Sequence, residues 1–400
     1  MEIEKPYLFI EVNDHRFIFL AVKFDEDFNF EILYSISAKS EGVLEGKITN
    51  IENSSKIIKE NLDIIEKKIG FVFKNATVIS DQDNFNCLNI SGFKRLNGSQ
   101  IIDENISYIL NNIKKSVLDN EPNKSLIHLF NSNFILDDVV LKNPPIGLHG
   151  EFYNQHLTFF LLPKNDLKNL KLVLNNCDIN VERIILKSFV QGLEKIVKKE
   201  IKETFAIINM KKNKSDISIF NNMSFVYSES FHFGTDIIMK DVSKVCSLNF
   251  EVIKRIFSEL NFSNINEDGR EEYLDKKYFK DKVFRKIRLG HVNDIITARV
   301  NELVNLIYKD NINLKNLENE IKLIYISFED SNILKNLMEN FQKFFSDKKN
   351  IIFEERTQDE HLNACLVSAE LIGKGWEKEA IPTIQTKKSI ISRIFSIFFK

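Results

Sequence analysis

The sequence predicts an α/β fold with two similar lobes, the first of which contains an inserted α+β subdomain. Three short strand patterns with tight connections open the chain, and a similar run recurs about two hundred residues later. Helical patterns follow each run, as they would if an internal duplication had produced the two halves. A block with a different pattern, residues 84–162, lies between the first helix and the second half. Sequence identity between the halves is negligible, so two unrelated α/β domains are the alternative.

The first half begins with strands in which β-branched and aromatic residues are separated by short polar turns: Tyr7–Val12, Phe17–Phe24 and Phe30–Ile36. Apolar residues at helical spacing predict a helix over Ser54–Ile69, and an apolar run predicts a strand over Ala76–Ser80. The inserted block predicts a helix and three strands, at Ile101–Leu118, Cys87–Ile90, Ser125–Leu129 and His156–Leu162. A helix, a strand and a helix follow it at Asn165–Asn175, Val181–Lys187 and Phe189–Lys199.

The second half predicts its own opening strands at Thr204–Asn209, Ser215–Asn221 and Ser224–Ser230. Later strands are expected at Leu323–Phe328 and Ile351–Phe353, and helices at Phe250–Asn261, Gly290–Tyr308, Asn332–Phe345 and His361–Ile372. The expected domains are a first lobe (1–83 and 163–200), the insertion (84–162), a second lobe (201–380, with a smaller subdomain at about 250–308) and a linker with a tail (381–400).

Composition excludes several classes of function. The net charge is −2, which does not favour nucleic acid as a partner. The four cysteines form no Cys-x-x-Cys pair and the seven histidines stand singly, so we expect no metal site, no disulfide framework and a reducing compartment. We expect neither a signal peptide nor a transmembrane helix.

The last fourteen residues, KKSIISRIFSIFFK, predict an amphipathic helix that lies in a membrane interface. Its four positive charges are unaccompanied by negative ones, and it is shorter than the roughly 20 apolar residues that span a bilayer. The residues expected to enter the membrane interface are Ile390, Ile391, Arg393, Ile394, Phe395, Phe398 and Phe399. A helix that docks on the protein's own core is the alternative.

Four stretches carry a resemblance to a known family: Pro145–Gly150, Cys177–Val181, Gly234 with Asp241-Val242, and Asp294–Leu303. Their order and the amphipathic tail make the chain similar to FtsA, the actin-like membrane tether of bacterial cell division. The resemblance implies an actin-like (ASKHA) fold with an SHS2-type insertion that serves self-association and the recruitment of later division proteins. It also implies peripheral attachment to the cytoplasmic face of the cell membrane at the division site.

The resemblance further implies that the subdomain near Phe250–Tyr308 binds the C-terminal peptide of the tubulin-like ring protein FtsZ. The basic run Asp275–Arg288, which would suit an acidic peptide, supplies the residues expected to bind it, together with one arginine of the following helix: Lys282, Arg285, Lys286, Arg288 and Arg299. A solvated helix face is the alternative interpretation of the run.

Actin-like ATPases wrap phosphates with the backbone N–H groups of two hairpin turns, which need glycine for close approach. Here neither turn contains glycine, and the chain has only 13 glycines. The residues left at these positions are Asn13, Asp14, Asn209, Lys211, Lys212, Ser215 and Asp216. In the third nucleotide element, Glu329 and Asp330 would repel phosphate. We therefore expect no catalytic residues and no hydrolysis, with ATP binding lost or much weakened.

Three alternatives to this hypothesis remain. ATP is possible as a cofactor by family resemblance, since Lys211, Lys212 and Lys214 could neutralise phosphates in a different geometry. The chain could also be an active ATPase of the actin, chaperone and sugar-kinase superfamily. A third possibility is the related pilus-assembly protein PilM, for which we expect no amphipathic tail.

Overall fold

A computed structural model describes residues 5–262, 265, 267–279, 284–329, 331–344, 350–355 and 362–380. The chain divides into two compact units. The first comprises the described residues within Met1–Lys202, Phe220–Tyr227 and Gln358–Lys400, and the second those within Glu203–Ile219 and Ser228–Thr357. The finer division into lobes and insertion that the sequence predicts stays a prediction.

A five-stranded sheet in the first unit has the order β11-β6-β1-β2-β3. Its strands are β1 (Tyr7–Val12), β2 (Arg16–Phe24), β3 (Phe30–Lys39), β6 (Asn75–Ser80) and β11 (Asn180–Leu186). The first three are antiparallel, whereas β6 and β11 run parallel to β1. The helices of this part are α1 (Ile51–Ile69), α3 (Lys164–Asn175), α4 (Lys187–Lys199) and α10 (Asn363–Lys374), and a short ribbon joins β4 (Val43–Leu44) to β5 (Lys47–Ile48).

Helix α1 illustrates how the local sequence defines an element. The Asn50 side chain accepts a hydrogen bond from the N–H of Asn53, which caps the start of the helix. Gly70 adopts φ 71° at the other end, a left-handed conformation that costs glycine little. Between the caps, apolar residues recur at helical spacing and are buried: Ile58, Leu62 and Ile65.

A second sheet of the first unit corresponds to the block with the different pattern. It is antiparallel, with the order β7-β10-β8-β9, and α2 (Asp103–Asn120) packs on it. The strands are β7 (Asn86–Arg95), β8 (Lys124–Leu136), β9 (Val139–Leu141) and β10 (Phe152–Pro163). Strands β7, β8 and β10 extend beyond their predicted limits, because the neighbouring residues continue the same ladder of backbone pairs.

The second unit contains a five-stranded sheet with the order β14-β13-β12-β15-β16. Its strands are β12 (Phe205–Met210), β13 (Ser215–Asn221), β14 (Ser224–Phe231), β15 (Leu323–Phe328) and β16 (Asn350–Glu355). The end of β13, the turn after it and the start of β14, Phe220–Tyr227, belong to the first unit. The helices are α5 (Asp236–Cys246), α6 (Phe250–Glu259), α7 (Glu267–Arg270), α8 (Leu289–Val304) and α9 (Ser331–Phe344).

The two five-stranded sheets share one topology. Read from the third strand of each opening run, the orders are β3-β2-β1-β6-β11 and β14-β13-β12-β15-β16. In both, the first strand of the run also pairs in parallel with a later strand, namely β6 or β15. The prediction that each half opens with three consecutive strands is therefore confirmed.

Two expectations about the second half need correction. Helix α5 was not predicted, although its buried residues Ile238, Met239, Val242 and Cys246 have helical spacing. The basic run was interpreted alternatively as a solvated helix face. In its described part it forms one 3₁₀ turn, Lys276–Phe279, and non-helical backbone at residues 284–288, where Ile287 and Arg288 pair back on Leu274 and Tyr273.

Candidate functional site

The first turn, between β1 and β2, contains both residues that were expected to lie there. The Asn13 carboxamide oxygen accepts hydrogen bonds from the N–H groups of His15 (2.9 Å) and Arg16 (2.8 Å). Its amide group donates to the Glu11 carboxylate at 2.9 Å. Asp14 reaches a different segment and accepts from the N–H of Gly46 at 2.6 Å. The short polar side chain of Asn13 thus closes the turn on itself.

Glu11 is the buried charge of this region, with 1% of its surface exposed. Lys187, the first residue of α4, places its ammonium 2.7 Å from Glu11 Oε1 and 3.5 Å from Asp81 Oδ2. Asp81 directly follows β6, so the three charged groups lie at the carboxyl ends of β1, β6 and β11. Ligands commonly bind at this edge of a parallel α/β sheet.

The second turn lies between β12 and β13, and beside it one side chain from each of three neighbouring strands, β12, β13 and β15, is linked by hydrogen bonds. Asn209 donates to Asp216 at 2.7 Å and accepts from the Ser327 hydroxyl at 2.7 Å. All three residues are buried. Ser215 donates instead to the carbonyl of Phe233 at 2.8 Å. The chain therefore satisfies these buried polar groups internally, as burial requires.

The tip of the second turn forms hydrogen bonds with Glu329 on one side and with the start of α5 on the other. The N–H of Lys212 donates to the Glu329 carboxylate at 2.9 Å, while the N–H of Lys211 donates to the carbonyl of Lys214 at 2.9 Å. On the other side, the N–H groups of Thr235 and Asp236, where α5 begins, donate to the carbonyls of Lys211 and Lys212 at 3.0 and 2.8 Å.

Gly234 permits this contact between the turn and the start of α5. A Cβ atom at that position would lie 2.1 Å from the carbonyl oxygen of Lys211, and backbone atoms of Lys212 and Lys214 are 2.6 Å away. Only a residue without a side chain allows the two backbones to approach so closely.

Arg299, on α8, is bonded within the second unit. Its Nε–H donates to the carboxylate of Asp241 on α5, and its Nη1 lies 2.8 Å from Glu302 of its own helix. About a quarter of the Arg299 side chain is exposed (24%). The arginine thus connects α5 to α8, and its expected role in partner binding stays a prediction.

The other expected peptide-binding residues lie around the end of α5 and the segment before α8. Arg285 donates to the carbonyls of Cys246 and Ser247 at 2.9 and 2.8 Å. These carbonyls lie at the C-terminal end of α5, where the helix dipole attracts a cation. Arg288 pairs with Glu271 at 3.2 Å, and Lys286 lies over the ring of Tyr273. Lys282 lies outside the described residues.

A buried charge cluster of the first unit was not predicted from the sequence. The Glu379 carboxylate, which is fully buried, accepts from His128 Nδ1 at 2.7 Å and from the guanidinium of Arg183. His128 Nε2 accepts from the N–H of Leu186 at 3.1 Å, which places the imidazole proton on Nδ1. Burial opposes ionisation of Glu379, but Arg183 and the hydrogen bond from His128 outweigh it and lower the pKa of this carboxyl.

The segment around Glu379 pairs with β8. The N–H of Asn131 donates to the carbonyl of Lys378 at 2.9 Å, and the N–H of Ala380 donates to the carbonyl of Leu129 at 2.6 Å. Trp376 donates from its indole to the carbonyl of Met223 at 3.0 Å. The last residue before the expected linker and tail is thereby placed beside β8.

All the residues expected to bind the membrane lie outside the described residues, within 381–400. None of the helices in the described part of the chain has the length and apolar content needed to cross a bilayer. Across those same residues, no three or more His, Cys, Asp or Glu side chains converge in the manner of a metal site.

No protein-family model matches the sequence. Among curated proteins, the cell division protein FtsA of Buchnera aphidicola is 18% identical over 308 residues, which cover 76% of this chain and 73% of the relative. The FtsA protein of Streptococcus pneumoniae is 22% identical over 285 residues, which cover 68% of this chain and 60% of that protein. This chain therefore spans less than two thirds of the length of the second relative.

Among solved structures, the PilM-PilN type IV pilus biogenesis complex contains a chain that matches with a TM-score of 0.54 and 9% identity. The match covers 92% of this chain and 98% of the other. At that identity the likeness concerns the fold alone, and it agrees with the shared topology of the two sheets. The sequence relatives and this structural match together make the chain a divergent FtsA-like protein with an actin-like α/β fold.

Proposed function

We propose that this protein is a membrane-tethering adaptor of bacterial cell division. The similarity to FtsA proteins, which extends over most of the chain, is the observation that carries the proposal. In this role the amphipathic segment Lys387–Lys400 binds the cytoplasmic face of the membrane at the division site, and the body binds the C-terminal peptide of FtsZ. Self-association and recruitment of later division proteins belong to the same proposal.

The adaptor is proposed to act without hydrolysing nucleotide. Three N–H groups of the two turns donate to side chains of the chain itself, those of His15 and Arg16 to Asn13 and that of Lys212 to Glu329. Because neither turn has a glycine, close approach of a phosphate to the backbone is also hindered by side chains. These observations support a binding protein over an ATPase.

The membrane part of the proposal is tested by co-sedimentation with vesicles that contain anionic lipid. We expect the intact chain to sediment and the double variant Ile391→Asp/Phe398→Asp to stay in the supernatant, because each buried large apolar side chain contributes roughly 1.5–3 kcal/mol. The matched control is Ser389→Asp/Ser396→Asp, which adds the same charge to the opposite face of the helix. If both double variants lost binding equally, an amphipathic helix would be the wrong explanation.

The partner part is tested with the FtsZ C-terminal peptide in a fluorescence-anisotropy titration. Lys286 and Arg288 are exposed, so Lys286→Glu/Arg288→Glu should weaken binding by at least about tenfold and should reduce its dependence on salt. Lys315→Glu/Lys322→Glu makes the same charge change at exposed positions elsewhere in the second unit and should have little effect. Equal losses in both variants would contradict a peptide site at the basic run.

A second candidate is a peptide-binding adaptor of pilus assembly. The structural match to a chain of the PilM-PilN complex favours it, since the match covers nearly the whole of that chain. Removal of residues 387–400 separates the two functions. Loss of membrane localisation supports the division adaptor, and unchanged localisation supports the pilus adaptor.

A further inference from the structure

Both turns of this protein hold one of the chain's own side-chain oxygens against their backbone N–H groups. In the first turn, Asn13 Oδ1 accepts from His15 and Arg16 at 2.9 and 2.8 Å. In the second turn, Glu329 Oε2 accepts from Lys212 at 2.9 Å. These are the groups through which a hairpin turn of this kind binds phosphate oxygens. The turns as arranged therefore do not fit a nucleotide phosphate unless a side chain is first displaced.

The carboxylates beside the first turn likewise have a cation supplied by the chain. The Lys187 ammonium lies between Glu11 and Asp81, 2.7 Å and 3.5 Å from their oxygens. The Lys187 side chain is 19% exposed and that of Glu11 is 2% exposed, so this attraction is only weakly screened by solvent. A divalent cation at the same carboxylates would have to displace the ammonium.

The backbone fixes Glu329 in its position. This residue directly follows β15, and its N–H donates to the carbonyl of Met210 at 3.0 Å, which continues the pairing of β15 with β12. A carboxylate held by a strand has a high effective concentration at the amide it contacts. A free anion competes poorly with such an internal ligand, and the negative charge of Glu329 repels it further.

We infer that Asn13 and Glu329 take the places of phosphate oxygens, and Lys187 the place of a divalent cation. The protein therefore adopts its actin-like fold without a bound nucleotide or metal ion. The inference rests on the proposed adaptor function and specifies its regulation, since membrane and partner binding would not respond to nucleotide. Glu329 and Lys187 are positioning residues in this scheme. They hold the turn and the carboxylate pair in the arrangement that a bound nucleotide and metal would otherwise impose.

Calorimetry with ATP–Mg²⁺ and with inorganic tripolyphosphate tests the role of Glu329. The full-length wild-type chain should show no saturable binding at millimolar ligand. Glu329→Ala frees the Lys212 N–H and removes a negative charge, so it should bind tripolyphosphate saturably at millimolar concentration, at least about tenfold more tightly than the weakest binding that the titration of the wild type would detect. Glu329→Gln, which keeps an acceptor oxygen, should gain less. Glu320→Ala removes an exposed carboxylate of the same unit and should leave binding unchanged.

Two results of that titration would overturn the inference. One is micromolar binding of ATP–Mg²⁺ by the wild-type chain. The other is a Glu329→Ala variant that binds tripolyphosphate no better than Glu320→Ala. Neither result concerns the residues that the vesicle and peptide assays change, so failure of this inference and failure of the proposed adaptor function are distinguishable.

Thermal unfolding tests the role of Lys187. Lys187→Met leaves Glu11 and Asp81 without their ammonium and should lower the melting temperature, and millimolar Mg²⁺ should restore part of the loss. The control Lys198→Met removes an exposed lysine of the same helix. Its melting temperature should stay close to that of the wild type and should not rise when Mg²⁺ is added. Sodium chloride at equal ionic strength separates a bound cation from screening. A Lys187→Met protein that is as stable as the control, or indifferent to Mg²⁺, would refute a cation-replacing role.

Discussion

Arg183 and Glu379 lie 196 residues apart in the sequence and form a buried ion pair in the first unit. His128 donates a second hydrogen bond to the same carboxylate from β8. Three distant segments of the chain are thus joined at one carboxylate, and the segment that it belongs to is the one that precedes residues 381–400.

Removal of this carboxylate should destabilise the first unit strongly. Glu379→Ala leaves the Arg183 guanidinium, which is 2% exposed, without its counter-ion, and breaking such a pair typically costs about 3–5 kcal/mol. Denaturant unfolding measures the loss. Glu377→Ala removes an exposed carboxylate two residues away and should change the free energy of unfolding by less than about 0.5 kcal/mol. Similar losses in the two variants would show that the pair contributes little.

The same cluster predicts a pH dependence of stability. Burial lowers the pKa of His128 below its ordinary value of 6.5, and the pKa of Glu379 is also lowered. The unfolded chain therefore binds more protons than the folded chain below about pH 6.5, and stability should be lost as the pH falls through this range. His128→Asn should be less stable overall but should show a flatter profile between about pH 6.5 and 5.

His149 supplies the control for the pH experiment. It is an exposed histidine of the same unit, so His149→Asn should retain the wild-type dependence on pH. A profile that is as steep in His128→Asn as in the wild type would assign the dependence to other groups.

The contact at Gly234 predicts that even one added carbon disturbs the second turn. Gly234→Ala would place a Cβ 2.1 Å from the backbone oxygen of Lys211, which cannot move without shifting the turn. We expect a loss of more than about 2 kcal/mol in the free energy of unfolding. At Gly70 nothing lies within 4 Å of an added Cβ, so Gly70→Ala should cost only its backbone strain, about 1 kcal/mol. Equal losses would mean that the turn adapts.

The ion pair between Arg299 and Asp241 should contribute measurably to the packing of α5 against α8. Both side chains are about three quarters buried, so a charge-assisted hydrogen bond there is worth roughly 1–2 kcal/mol after partial screening by solvent. Asp241→Asn and Arg299→Gln should each lose about that much, and the double variant should lose less than the sum. Strict additivity in this double-mutant cycle would show that the two residues do not interact.

The sequence predicts what depends on local pattern. The opening strands of both halves were found because alternation and turn residues lie within a few positions of one another, and β1, β2, β12, β13 and β14 appear within a residue or so of their expected limits. Helix α5 carries an equally local signal, the spacing of Ile238, Val242 and Cys246, but Asp241-Val242 enter the sequence interpretation only through the family resemblance.

Contacts between distant residues were beyond such reasoning. No pattern around Glu379 indicates that its partners are His128 and Arg183, because burial and pairing of a carboxylate depend on the assembled fold. For Glu329, the sequence indicated repulsion of phosphate, whereas the structure shows where the carboxylate goes, onto the N–H of Lys212. Asp330, which was expected to act with it, lies outside the described residues.

If the residues after Ala380 tether the protein as proposed, the antiparallel pairing of Lys378–Ala380 with β8 has a mechanical consequence. A force that pulls on residues 381–400 would reach the fold at β8, where backbone bonds to Leu129 and Asn131 and the buried Glu379 would have to give way together. Such a load would enter the first unit at two places, its sheet β7-β10-β8-β9 and, through the pair of Glu379 with Arg183, strand β11 of its five-stranded sheet.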